Sequence, residues 1–478
     1  MRQSVYDLYF TDDWRLLPEL SINAGIRWDY GAPITELFGR LANLDASQGF
    51  NSVAAVLGSN PKGPVTGMAY PRSLVRPDRH GIEPRIGISW RPIPASTLVV
   101  RAGYGIYDDT SVYLTAAEQM AEQAPFATSL SQANSSACPL TLANGFQHCT
   151  GGASDTFAID PNLRVGYAQN WQLSVQRDLP WALVVTATYL GTKGTHGMQE
   201  FLPNTYPIGA TNPCPACQSG FVYRTSGGNS TRHAGTLQLR RRLRSGFTAS
   251  LDYTWAKAMD DDAQVGAQGH AAATSAVSQA GAGATVAQNW LDLRAERGLS
   301  TFDQRQLLNV QFQYTTGMGM GGRSLMSGWR GRILKEWTLI SQITSGTGLP
   351  ETPIFLATVP GTGVTDTIRP NLTGAPIYRA PAGYHLNVAA FSAPAAGAWG
   401  TARRDSITGP NQFSLNSSLL RTFRLRNPFN LDLQIDATNL LNHGVFPSWN
   451  SVVNSTTFGL PAPANPMRIL QVTARLRF

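Results

Sequence analysis

Stretches in which apolar and polar residues alternate one for one recur along the whole chain. In LSINAGIRWDY, Leu20, Ile22, Ala24, Ile26, Trp28 and Tyr30 share one face, and Ser21, Asn23, Gly25, Arg27 and Asp29 share the other. Successive side chains of a strand point to opposite faces, so this period of two predicts β-structure. STLVVRAGYGIY (97–107 and its lead-in), FTASLDYTW (247–255), LLNVQFQY (307–314) and NLDLQIDA (430–437) repeat the pattern. Weaker examples are VYDLYF, PRIGISW, NWQLSVQ, ALVVTATYL, TLQLRRR, KEWTLISQI and QFSLNSSLL. The chain closes on ILQVTARLRF, with Leu470, Val472, Ala474, Leu476 and Phe478 on one face and Gln471, Thr473, Arg475 and Arg477 on the other. Counted this way, the pattern predicts about 13 strands.

The connections between these strands alternate in length. The short ones are RLLPE, RPIPA, RDLPW, RRLRSG and FRLRNPF, with a glycine-rich one near 316–334. The long ones cover 31–83, 108–168, 191–234, 256–305, 346–411 and 442–466, rich in Gly, Ser, Pro, Asn and Ala and without periodicity. Loops of that length are rare in compact soluble domains. Tight turns at one end and large loops at the other are what a transmembrane barrel produces, with the turns periplasmic and the loops extracellular. The fold expected is therefore all-β, a partial antiparallel transmembrane β-barrel.

Two further features agree. With the terminal Phe478 placed at the periplasmic end, the strands starting at Leu20, Leu98, Leu183 and Phe247 run outward. Their far ends then carry Trp28 with Tyr30, Tyr104, Tyr189, and Tyr253 with Trp255, while Tyr314 and Phe478 lie at the inner side. That is a pair of aromatic girdles at the two membrane interfaces. The other face carries Arg27, Arg101, Asp252, Gln311, Asp432 and Asp436, which a buried core would not tolerate. Lipid outside and a polar lumen inside satisfy both faces at once.

Composition narrows this little. The net charge is +8 with charged residues at 14 %, but the arginines are spread singly through the strands, and the densest cluster, Arg240–Arg242 with Arg244, is expected in a short turn. Nucleic-acid binding is therefore not expected. No apolar run approaches the ~18 residues of a membrane helix. The opening MRQSVYDLYFTDD shows neither the apolar stretch nor the cleavage site of a secretory leader.

Several stretches resemble a known family. YLGTKGTHG (189–197), FTASLDYTWAKAMDD (247–261), FDQRQLLNVQFQY (302–314), SGTGLPETP (345–353), LNVAAFSAPAAGAWGTARRDSITGPNQF (386–413) and LQIDATNLLNHGVF (433–446) are similar to the barrel of TonB-dependent outer-membrane receptors, of the Oar-like group. The resemblance is diffuse but nearly end to end. It implies a Gram-negative outer-membrane barrel, plugged by an N-terminal domain, that imports a scarce solute with energy from TonB. It also implies that the last strand, Leu470, Val472, Ala474, Leu476 and terminal Phe478, is read by the barrel-insertion machinery. Such transporters have about 22 strands, an even number. About 13 leaves roughly nine unaccounted for, and no plug or TonB box is readable here. Residues 1–478 are thus expected to be the C-terminal portion of a receptor, with Met1 an internal start or the edge of a fragment. Any contact with TonB would be made through the missing N-terminal regions. The alternative is a surface-exposed outer-membrane β protein with a role in adhesion or assembly.

The chain shows little catalytic chemistry. Cys138 and Cys149 share one long loop, and Cys214 and Cys217 another; loop disulfides at a cell surface account for both pairs. The PCPAC segment also raises a redox or zinc site, for which His196 and His233 are the nearest further ligands. GMGMGGR (317–323) lacks the following Lys-Ser/Thr of a P-loop. Asp260, Asp261 and Asp262 read as a calcium site or a solvated acidic rim. No nucleophile, base and orienting group combine, so neither an enzyme nor a cofactor is expected.

Overall fold

The computed structural model describes residues 1–127, 130–131, 153–154, 157–217, 221–261, 286–317, 328–357, 368–424 and 429–477. Among these residues thirteen long strands form one antiparallel sheet in which each pairs with its neighbours in the series. They are β1 (Val5–Leu17), β2 (Leu20–Gly31), β3 (Ile82–Trp90), β4 (Val99–Asp109), β5 (Gly166–Leu179), β6 (Leu183–Phe201) and β7 (Val222–Arg244). They continue as β8 (Phe247–Asp260), β9 (Gln306–Thr315), β10 (Thr338–Gly346), β11 (Gln412–Arg424), β12 (Asn430–Thr438) and β13 (Ile469–Arg477). Three short strands, 157–159, 286–287 and 298–299, add to its margins. The up-and-down order follows from the alternating hydrophobic pattern, because each tight turn can only return the chain beside the strand it left.

The register keeps the two faces separate across the sheet. Leu237 lies opposite Tyr253, and Leu239 opposite Leu251, which in turn faces Val310. On the other face Gln238 lies opposite Asp252, and Asp252 opposite Asn309. A slip of one residue would exchange the faces, so the pattern and the register specify one another. The apolar face is bare: Leu8 is 71 % exposed, Phe10 67 %, Trp255 61 % and Val472 67 %. Water does not tolerate an apolar surface of this extent; lipid does.

Among the described residues the short connections Pro18–Glu19, 91–98, 180–182 and Ser245–Gly246 lie at one end of the sheet, away from the long loops that follow β2, β4, β6 and β8. In the two-residue turn Ser245–Gly246 both residues are left-handed (φ 55° and 76°). A Cβ on Gly246 would clash with the Thr315 carbonyl oxygen, so only glycine fits there.

Three expectations need correcting. The stretch 191–234 is not one loop, because β6 and β7 run on to 19 and 23 residues. Their upper halves pair through Lys193↔Thr231, Gly194↔Ser230 and Glu200↔Arg224. A membrane crossing needs only about 9–11 residues. The hairpin therefore rises out of the bilayer, where no apolar face is required and the alternation fades. Arg240–Arg242 and Arg244 belong to the end of β7 rather than to a turn. The second long loop, lastly, contains a helix, α1 (Val112–Ala121), which buries Tyr113, Ala116, Ala117 and Met120.

The apolar cores lie among the long loops, not inside the sheet. One gathers Leu41, Leu74, Tyr113, Met120, Ile159 and Leu163. The other gathers Leu386, Phe391, Ile407 and Phe458. The long loops thus form a packed cap with cores of their own. Among the described residues β1 pairs only with β2 and β13 only with β12, so the sheet is open.

Candidate functional site

The concave polar face of the sheet is a hydrogen-bonded wall. Arg27 reaches Asp7 at 2.9 Å and Asp29 at 3.1 Å, and Arg85 pairs with Glu83. Arg101 donates to Gln176 at 3.0 Å, and Gln238 to Asp252 at 2.6 Å. Near the far edge Arg477 meets Asp432 at 2.7 Å. Opposite charges and amides face each other on neighbouring strands, because cross-strand side chains are the closest neighbours in a sheet. A concavity of about 890 Å³ lies against β1–β5, lined by Arg15, Asn23, Arg85, Arg101, Asn170 and Gln172 among others. This wall offers donors and acceptors to a polar occupant.

Above it, the cap is held by buried ion pairs. The Arg369 guanidinium forks onto both oxygens of Glu296 at 2.7 and 2.9 Å. The backbone N–H of Gln288 adds a third contact to that carboxylate at 3.0 Å. Arg404 pairs with Asp260 at the top of β8 and donates from Nε to the Glu296 carbonyl at 3.2 Å. Two loops distant in sequence, 261–305 and 347–411, are thereby fastened together. Removing one partner of such a pair leaves a buried charge uncompensated, which costs about 3–5 kcal/mol.

Beside them, Glu351 is 1 % exposed and accepts the Trp449 backbone N–H at 3.0 Å. Burial pushes its carboxyl up to about 8, against the Trp449 hydrogen bond and with help from the nearby Asp405. Burial also lifts Asp405, to about 6, although the Arg404 charge and the Thr352 hydroxyl hold it down. At neutral pH the cap thus holds one carboxyl in its neutral form. Nothing in the sequence announces this pair: Glu351 and Asp405 are far apart in aperiodic loops.

The residues singled out in the sequence fall in separate places. Cys214 and Cys217 are joined in a disulfide within the loop 202–221, while Cys138 and Cys149 lie outside the described residues. His233 stacks on Tyr189 and contacts its hydroxyl at 2.9 Å, and His196 contacts the Ser226 carbonyl at 3.3 Å. Among the described residues no three His, Cys, Asp or Glu side chains converge on a metal position. Asp260 is no solvated rim: it is fully buried, because Arg404 has entered to pair with it. Asp262 and most of the 317–323 stretch lie outside the described residues. Leu470, Val472, Ala474 and Leu476 line the apolar face of β13 opposite Ala437, Ile435, Leu433 and Leu431. Phe478 lies outside the described residues.

Residues 1–471 match the family model of the outer membrane beta barrel domain. No curated protein matches the sequence. Among solved structures, the outer membrane transporter YddB from Escherichia coli superposes with a TM-score of 0.52 at 11 % identity, over 99 % of this chain and 45 % of that one. The siderophore receptor PiuA from Acinetobacter baumannii is similar with a TM-score of 0.44 at 11 % identity, over 99 % and 42 %. The chain spans less than half the length of either. An apolar outer face, a polar inner face, one end of tight turns and a model match over nearly every residue lead to one conclusion: this chain belongs to the outer-membrane β-barrel family.

Proposed function

We propose that this chain is the C-terminal barrel portion of a TonB-dependent receptor that takes up a polar solute across the outer membrane. The observation that carries the reading is the polar lumen wall beneath an ordered extracellular cap, an arrangement that binds outside and passes inward. The fold shared with the transporter YddB supports it. The two open edges, β1 and β13, support the portion reading. An unpaired strand edge in lipid leaves backbone groups without partners, each at a cost of several kcal/mol. In this reading further strands of the same receptor pair with both edges, a plug fills the lumen, and TonB acts on the plug. The face of Leu470, Val472, Ala474, Leu476 and Phe478 serves as the assembly signal. The deciding experiment measures accumulation of labelled ferric siderophores, cobalamin and oligosaccharides in cells carrying or lacking the gene, with TonB intact or inactivated. Uptake of one solute that needs both the gene and TonB is expected. Cell adhesion lost with the gene, with no solute uptake changed, would favour a surface adhesin instead.

A further inference from the structure

At the short-turn end, two neighbouring hairpins expose arginines on the lipid-facing side of the sheet. The turns 180–182 and 245–246 are adjacent, since the Arg242 N–H donates to the Ala182 carbonyl at 2.9 Å. Arg177 lies opposite Val185, Arg241 opposite Leu183 and Ala249, and Arg244 opposite Phe247, all on the apolar face. The Arg241 guanidinium sits 5.0 Å over the Phe247 ring, and its Nε is buried without a partner. Trp181, at the tip of the first turn, is 74 % exposed. Among the described residues none of these three arginines meets a carboxylate, and the nearby Asp178 is held by Arg242. The buried arginines of the other end differ: Arg224, Arg369 and Arg404 are each mated to an acid.

We infer that this patch binds the headgroup of an anionic phospholipid of the periplasmic leaflet, of the phosphatidylglycerol type. The three side chains stand within a few residues of the turns, so their stems cross the edge of the hydrocarbon layer and their charges reach the headgroups. A guanidinium forks onto phosphate oxygens in a bidentate pair. Trp181 fits the interfacial level, where its ring is apolar on its faces and a donor at its edge. The apolar neighbours Leu179, Leu183 and Leu239 require acyl chains beside the phosphate, which a free anion does not bring. A net negative headgroup is selected because three positive charges without a carboxylate partner lie on the same face of adjacent hairpins, each worth about fivefold in affinity.

Native mass spectrometry of the protein purified from outer membranes in mild detergent tests this, with phosphatidylglycerol and phosphatidylcholine of identical chains supplied at equal amounts. The wild type should retain phosphatidylglycerol in at least about tenfold excess. The triple variant Arg177→Gln/Arg241→Gln/Arg244→Gln should fall to near parity, and the corresponding triple change to Lys should keep most of the preference. A double change Arg40→Gln/Arg79→Gln in the first long loop should leave it unchanged. Parity in the wild type overturns the proposal, and that comparison stands even where a variant fails to assemble. An unchanged preference in the Gln variant, or equal loss in the Gln and Lys variants, overturns it as well. So does equal displacement of both lipids by inorganic phosphate.

Discussion

Glu351 has no room for its own charge. Its folded-state carboxyl is raised to about 8 from the ordinary 4.5, chiefly by burial. A raised carboxyl contributes stability that is fully present below the unfolded value and is lost as pH climbs through the folded one. The cap should therefore be tightest near pH 4.5 and loosen toward pH 8; between pH 6 and 8, above the value of Asp405, Glu351 alone sets the slope, up to about tenfold per pH unit in the closed-to-open ratio. Hydrogen exchange around 347–353 and 444–453, corrected for the intrinsic rate, reads this directly, and Glu351→Gln should flatten the dependence. An unchanged slope between pH 6 and 8 in Glu351→Gln would show that another group sets the dependence. The two faces of the sheet give a second residue-scale prediction. Leu251→Arg, on the lipid side between Leu239 and Val310, should cost about 2–4 kcal/mol in urea unfolding from vesicles. Gln311→Arg, which points into the polar lumen opposite Gln342, should cost less than about 1 kcal/mol, since lumen substitutions leave the lipid contact intact.

Among elements, β13 carries the sharpest expectation. Its apolar face is complete from Leu470 to Leu476, and its polar face is engaged through Arg477 with Asp432. In the assembly-signal reading, deleting Phe478 should remove most of the protein from the outer-membrane pellet while leaving synthesis unchanged, with heat-modifiable gel mobility checking the fold. Arg477→Ala removes only a half-exposed lumen pair, worth about 0–1 kcal/mol, and should assemble nearly as well as the wild type. Equal assembly of both variants would retire Phe478 as a signal. The cap makes its own element-scale statement. Arg369→Ala orphans Glu296 and should loosen the loop 347–411, seen as faster proteolysis there with the sheet still protected.

For the whole molecule the expectation is sidedness. Single cysteines at Ile208 or Tyr384, both exposed in long loops, should react with a membrane-impermeant maleimide on intact cells. Cysteines at Trp181 or Ser245 should react only after lysis. Reaction in the opposite sense would turn the sheet over in the membrane and move the proposed lipid patch to the other leaflet.

The long strands, their order, the identity of the two faces and the alternation of short and long connections were legible in the residues, while the three short strands that bring the sheet to 16 were not. The reason is that a strand in lipid must present apolar side chains at every second position, so the solvent writes its period into the chain. Outside the bilayer that pressure ends. The upper halves of β6 and β7, α1 and the two loop cores carry no regular period, so the pattern does not distinguish them from loop. The pairings of Arg369 with Glu296, of Arg404 with Asp260 and of Glu351 with Trp449 join residues distant in sequence. Each depends on where folded loops meet, because burial is what turns an ordinary carboxylate into a paired or neutral one. The lipid-facing arginines fall between the two cases. Their presence on the apolar face is plain in TLQLRRRLRSG, but the backbone contact from Arg242 to Ala182 that sets two turns side by side exists only in the assembled sheet.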